Sequence, residues 1–213
     1  KYVSARIAEL LGRPVEELKT VVCHLGQGAS LCAVKGGKIV DTTMGLTPLG
    51  GIPMCARSGD LDPSIVTYLM KKENLSIDEM LNILNKKSGM LGVSGTTGDM
   101  RDLKALRDKG DKRAELALEM FSYRVRKYIG AYMAVLGHVD AIIFEGGIGE
   151  HNLDAVAKSV EGLEEFGIKL DRTNLADECY EGIISLPDSR IPMYVIPTNE
   201  ELEIAKETME LVK

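Results

Sequence analysis

The sequence predicts an α/β fold built on a mixed sheet, and three features of its patterning carry that prediction. Three short β-type runs follow one another near the start, a block of helical periodicity fills the middle, and the last third alternates strand with helix. Tight turns lay antiparallel strands and strand–helix alternation lays parallel ones, so both pairings are expected in one sheet flanked by helices.

Taken in order, residues 3–11 have helical spacing, and Gly12-Arg13-Pro14 ends that helix. Residues 20–25, 30–35 and 38–43 read as an antiparallel meander, with Gly36-Gly37 as the second turn. Residues 44–60 are rich in Gly and Pro and far exceed the ~4–6 residues usual for a connection. Their apolar members, Met44, Leu46, Leu49, Ile52 and Met54, predict an ordered loop packed on a lobe. Helices are expected over 62–73, opened by Asp62-Pro63, and over 76–86, where Ser76 and Glu79 have capping-box spacing. Further helices are expected over 99–109 and 112–136. The order then becomes strand 140–144, helix 152–166, strands 182–186 and 192–196, and helix 199–212. With no repeat, low-complexity tract or linker, residues 1–213 read as a single domain with a helical block over 60–136 inserted in it.

Length and composition suit a chain that buries a substantial core: 213 residues, 45% hydrophobic and 27% charged. A net charge of −6 argues against a nucleic-acid partner held by its phosphates. No apolar run approaches the ~20 residues of a membrane span, and residues 1–20 lack a secretory signal. No membrane partner and a cytoplasmic location are expected. Cys23, Cys32, Cys55 and Cys179 show no C-x-x-C spacing and read as reduced structural thiols. The chain opens on Lys1, so a piece of a longer protein is expected.

Five segments carry candidate chemistry. His24-Leu25-Gly26-Gln27-Gly28-Ala29-Ser30 joins two apolar runs: its glycines either simply make a hairpin turn or let backbone N–H groups cradle an anion, with His24, Gln27 and Ser30 in reach. Glu145-Gly146-Gly147-Ile148-Gly149-Glu150-His151 ends a strand and enters a helix capped by His151 or Asn152. It is a close-packing turn or a place where a nucleotide lies on bare backbone. Arg57, in Arg57-Ser58-Gly59-Asp60-Leu61-Asp62-Pro63, either grips a phosphoryl or carboxylate group, oriented by Asp60 or Asp62, or is a surface arginine beside a capping aspartate. Asp99-Met100-Arg101-Asp102 either reaches a ribose or adenine edge or caps a helix starting near Asp102. Glu200, after the strand ending at Ile196, either holds Mg²⁺ through water or is an acidic residue favoured at a helix N-terminus.

In order, HLGQGAS, RSGDLDP, NKKSGMLGVSG at 85–95, DMRDL at 99–103, GGIGE at 146–150 and IPTNEE at 196–201 resemble the acetate kinases across nearly all of the chain. The resemblance implies an RNase-H-like domain of the actin-like ATPase superfamily, shared with sugar kinases and heat-shock chaperone ATPases. It further implies the C-terminal domain of a two-domain kinase whose N-terminal domain is absent here. The implied reaction is ATP plus acetate giving ADP and acetyl phosphate, reversibly. His24, Leu25, Gly26, Gln27 and Gly28 would cradle the phosphates, with His24 at the transferring group and Arg57 stabilising the transition state. Asp99, Met100 and Arg101, with Gly147, Ile148, Gly149, Glu150 and His151, would hold the adenosine of ATP or ADP. Glu200 would position Mg²⁺, or Mn²⁺ in its place, and the domain would pair as a homodimer while being inactive alone.

Four positions depart from the family pattern: Gln27 stands where Asn is usual, His151 where Asn is usual, and Cys55-Ala56 where Gly-Thr is frequent. None removes a charged catalytic group. Butyrate or propionate kinase activity is the near alternative. A non-catalytic actin-like or chaperone-like nucleotide module is the distant one, and such a switch has no use for an arginine aimed at a carboxylate acceptor.

Overall fold

The computed structural model describes residues 1–173 and 181–212, and the expectation for Cys179 lies outside them. Helix α1 (Tyr2–Leu11) ends on Gly12, whose φ of 62° places it in the left-handed conformation that suits glycine. Strands β1 (Lys19–Leu25), β2 (Ala29–Lys35) and β3 (Lys38–Thr42) form the expected antiparallel meander. Beyond the helices, β4 (Ala141–Glu145) and β6 (Met193–Val195) extend the sheet in parallel with β1, and β5 (Gly182–Ile183) closes the far edge antiparallel to β6. The order β3-β2-β1-β4-β6-β5 is thus a mixed six-stranded sheet, as the two kinds of connection predicted.

Both sheet faces are covered, which follows from strands that are apolar on both sides. Val21, Cys23 and Leu25 of β1 face one core with Ile142 and Phe144 of β4. Val22 faces the other, with Ala141, Ile143 and the Val3-Ile7-Ala8 stripe of α1. The larger core is roofed by α6 (Lys112–Leu136), which buries Ala117, Phe121, Val125 and Ile129 at helical spacing. Helices α2 (Pro63–Glu73), α3 (Ile77–Lys86), α4 (Gly89–Ser94) and α5 (Met100–Asp108) fill the span before it. Asp62 caps α2, and Ser76 with Glu79 forms the expected capping box on α3.

The structure corrects several expectations. The helix expected over 152–166 is shorter, α8 (Leu153–Val160): Asn152, one of the two expected caps, opens it, and it ends before Gly162, at φ 81°. A separate short helix, α7 (Gly146–His151), precedes it. The glycine-rich segment after β4 is therefore itself helical. The strand expected over 182–186 stops at Ile183, since the residues beyond it change partner: Asp171 donates to the Ile184 carbonyl and Leu186 to that of Lys169. Helix α4 was not anticipated, and α5 begins at Met100 rather than near Asp102. Within loop 44–60, Ile52 and Met54 are fully buried as expected, but Leu46 is fully exposed. The last helix is α9 (Glu200–Leu211).

Candidate active site

The parallel pairing of β1, β4 and β6 sends their carboxyl ends to one edge of the sheet. Three candidate segments leave from there: the turn at Gly26–Gly28, helix α7, and the stretch from Pro197 to Glu200. In sequence they are far apart, and the topology alone makes them neighbours. In α/β sheets this edge is where ligands bind.

A cleft of about 930 Å³ opens beside it. One wall is Gly147, Ile148 and His151 of α7 with part of α8; the other is Asp99, Met100 and Arg101 at the head of α5; Gly26 and Gln27 close one end. A Cβ at Gly147 would meet nothing within 4 Å, so its backbone faces open space. Gly149 and Glu150 turn the other way. Gly149 packs on Phe144, and the Glu150 carboxylate accepts from the backbone N–H groups of Gly146 at 2.8 Å and Thr198 at 3.1 Å. Glu150 therefore fastens the strand ends together rather than lining the cleft. Leu25 is fully buried and presents no surface to the cleft. Asp99 caps α5 and pairs with Arg101 at 2.9 Å, and that arginine holds the Asp99 carboxyl down at about 2. Capping and lining the cleft, alternatives in the sequence, coexist here.

His24 stands at the mouth of the turn, half-exposed, with Nδ1 3.4 Å from Glu145 Oε1. Arg57 is presented from the long loop, with Nη1 3.4 Å from the point where a Cβ on Gly28 would sit. Neither Asp60 nor Asp62 orients it. Asp60 accepts instead from the Gly51 N–H, Arg124 and the Tyr128 hydroxyl, while Asp62 caps α2. Nor is Arg57 a surface arginine tied to a capping aspartate: among the described residues no carboxylate pairs with it, and its neighbour is the Met54 sulfur. That leaves its donors free for an anion. Arg57 also lines a second depression of about 500 Å³, with Leu81, Asn82, Asn85 and Lys86.

The loop itself is a built scaffold. The carbonyls of Met54, Cys55 and Ala56 accept from the N–H groups of Met90, Leu91 and Ser88, so the loop caps helix α4 and α4 holds the loop. Gly89 and Gly98 permit this approach, since a Cβ at either would lie 2.2 Å from a loop carbonyl oxygen. The NKKSGMLGVSG motif thereby gains a role that spacing did not reveal. Across the loop tip the Cys55 N–H reaches the Gln27 carbonyl at 3.4 Å.

Gln27, Cys55, Ala56 and His151, the positions that depart from the family pattern, all line the one cleft. Cys23, Cys32 and Cys55 are free thiols, and burial pushes that of Cys23 well up. Glu200 is the first residue of α9 and exposed, capped ahead by Asn199. Among the described residues no group of three or more His, Cys, Asp or Glu side chains could hold a metal. Any metal here would therefore take most of its ligands from phosphate and water, with Glu200 as a single carboxylate. No described helix is long and apolar enough to cross a membrane.

Comparison with known proteins shows what the chain and its fold are similar to. The profile of the acetokinase family matches residues 1–206. The acetate kinase of Acetivibrio thermocellus is 54% identical over the whole chain, and that of Dictyoglomus turgidum 55% identical over 99% of it. The chain spans about half the length of these relatives, 53% and 52% respectively. The crystal structure of Porphyromonas gingivalis acetate kinase superposes with a TM-score of 0.96 at 42% identity, covering 99% of this chain and 53% of that one. A propionate kinase from Francisella tularensis superposes at 0.89, also at 42% identity, over 97% of this chain and 52% of its own. The chain belongs to the acetokinase family.

Proposed function

We propose that this chain is the nucleotide-binding half of a kinase that moves the γ-phosphoryl group of ATP to acetate, reversibly. The observation that carries the reading is the convergence of the three segments at one sheet edge, with the unpaired Arg57 beside the phosphate turn. A carboxylate oxygen of acetate forms the new bond to phosphorus as the bond to the ADP oxygen breaks, and the electron pair leaves with ADP. Such a transfer needs positioning and charge neutralisation more than covalent help from the protein.

In this reading the walls formed by Asp99, Met100 and Arg101 and by Gly147, Ile148 and His151 hold the adenosine. The N–H groups of the Gly26–Gly28 turn and the His24 imidazole receive the phosphates. Arg57 lies beside the turn and lines the second depression, where it can grip the transferring group and the incoming carboxylate together. Glu200 positions the divalent cation, which we take as Mg²⁺; bound there, it neutralises phosphate charge. The exposed apolar residues Ile39 and Val40 on edge strand β3 and Ile204, Met209 and Leu211 on α9 suit a homodimer formed through this domain. The free thiols suit a reducing cytoplasm.

Propionate is the second acceptor to weigh, because the propionate kinase matches at the same identity as the acetate kinase structure. Hydroxylamine trapping of acyl phosphates tests both. The chain alone should form no acyl hydroxamate from ATP, and fusing it to the N-terminal half of the Acetivibrio thermocellus enzyme should restore formation with acetate. Activity of the chain alone would contradict the two-domain reading. An inactive but folded fusion would contradict the kinase reading.

A further inference from the structure

The carboxylate of Glu145 belongs to none of the roles above, yet it sits at the point where transfer would occur. It is the last residue of β4, directly opposite His24 in the parallel register with β1. Its side chain is 13% exposed, and His24 is its one ion-pair partner among the described residues. A carboxylate so far removed from water needs a cationic or hydrogen-bonding partner to stay ionised at low cost.

We propose that Glu145 is a positioning residue for the phosphoryl-transfer site: it holds the His24 imidazole by Nδ1 and turns Nε2 toward the phosphate turn. The assignment rests on the reading of His24 as a phosphate-facing group. The geometry supports both halves of the role. Nδ1 lies 3.4 Å from Glu145 Oε1, while Nε2 lies 3.8 Å from where a Cβ on Gly26 would sit, so the two ring nitrogens face the carboxylate and the turn respectively. An imidazole with one nitrogen fixed this way has its orientation and proton set by its partner.

The other carboxylates around His24 act in the same direction, Glu150 from α7 and Glu200 from α9 adding longer-range attraction, whereas Arg57, a cation beside the turn at Gly28, opposes them. The Glu145 carboxylate is the largest influence, lifting the His24 pKa against the opposing effect of burial. Because the folded value is raised, the pair contributes fully below the ordinary histidine pKa of about 6.5 and is lost as pH rises through the raised one.

The test is a proton NMR titration of His24 in this chain, its signal identified by its loss in His24→Gln, alongside Glu145→Gln and Glu145→Asp. Calorimetric titration with Mg·ATP at several pH values accompanies it. Glu145→Gln should move the His24 midpoint to lower pH and shift the alkaline loss of Mg·ATP affinity with it, while Glu145→Asp should keep His24 nearer its original midpoint. An unmoved His24 midpoint in a folded Glu145→Gln variant, with or without a lowered Tm, would overturn the pairing. A moved midpoint with Mg·ATP affinity independent of pH would overturn its role in phosphate handling. Absence of Mg·ATP binding at every pH, with the midpoint still moving, would overturn the nucleotide reading itself and with it that role, while leaving the ion pair established.

Discussion

Replacing Arg57 by alanine in the complete two-domain enzyme is expected to lower kcat by about 10³-fold or more, the scale typical of an arginine acting on a transferring phosphoryl group. Three observations place the side chain for that work: its closeness to the Gly28 backbone, the lack of any described carboxylate partner, and its exposure to the second depression. An arginine serving only to hold the loop would be expected to show several bonds into the loop, and among the described residues its side chain reaches only the Met54 sulfur. Arg57→Lys keeps the charge but loses the planar fork, so it should recover a minor part of the rate. Steady-state kinetics with nucleotide affinity measured in parallel gives the check. A variant with near-normal kcat would reduce Arg57 to a loop residue.

Gly89→Ala is expected to be the most damaging small substitution. Gly89 has a φ of 59°, and an added Cβ would fall 2.2 Å from the Met54 carbonyl oxygen and 2.5 Å from that of Arg57. The left-handed conformation costs an L-residue roughly 1–2 kcal/mol, and forcing atoms into a packed site adds about 1–3 kcal/mol. Together these predict a loss of about 2–5 kcal/mol and a fall in Tm of roughly 5–15 °C for a chain of this size. Relief comes most readily by moving the loop off α4, which would also displace Arg57. Thermal unfolding followed by circular dichroism measures the loss, and an unchanged Tm would show that the loop tolerates movement there.

Much of the fold was legible because its signals are local. Gly12, Gly36-Gly37, the Asp62-Pro63 start and the Ser76–Glu79 box each encode a turn or helix end in a few residues, and each does so here. The apolar spacing of residues 112–136 gave α6 its full length. What failed depended on distant partners. Residues 184–186 have strand-like composition, and the Ile184 N–H still reaches Met193, but the Ile184 carbonyl and the Leu186 N–H bond to the segment at Lys169 to Asp171. Helix α7 lies in a glycine-rich segment whose residue types suggest a turn.

At the site, the turn, α7 and the head of α5 could each be named from residue types, but nothing local says that they enclose one cleft. That follows from β4 inserting between β1 and β6. Two pairings were not foreseen. Glu145 gave no spacing signal, because its partner His24 is met only across the sheet register. Asp60 was read as a partner of Arg57 on sequence proximity, whereas the fold brings Arg124 and Tyr128 to it from α6.

The measurement that bears most directly on the whole account is calorimetric titration of this chain with Mg·ADP, beside the Gly147→Val variant. The added side chain meets no protein atom within 4 Å at its Cβ and would project into the cleft, so the fold should survive while the adenosine site is filled. The account predicts binding by the unmodified chain and its loss in a variant that unfolds at the same temperature. Equal binding by both would contradict the placement of adenosine against α7, and with it the site proposed for this half of the kinase.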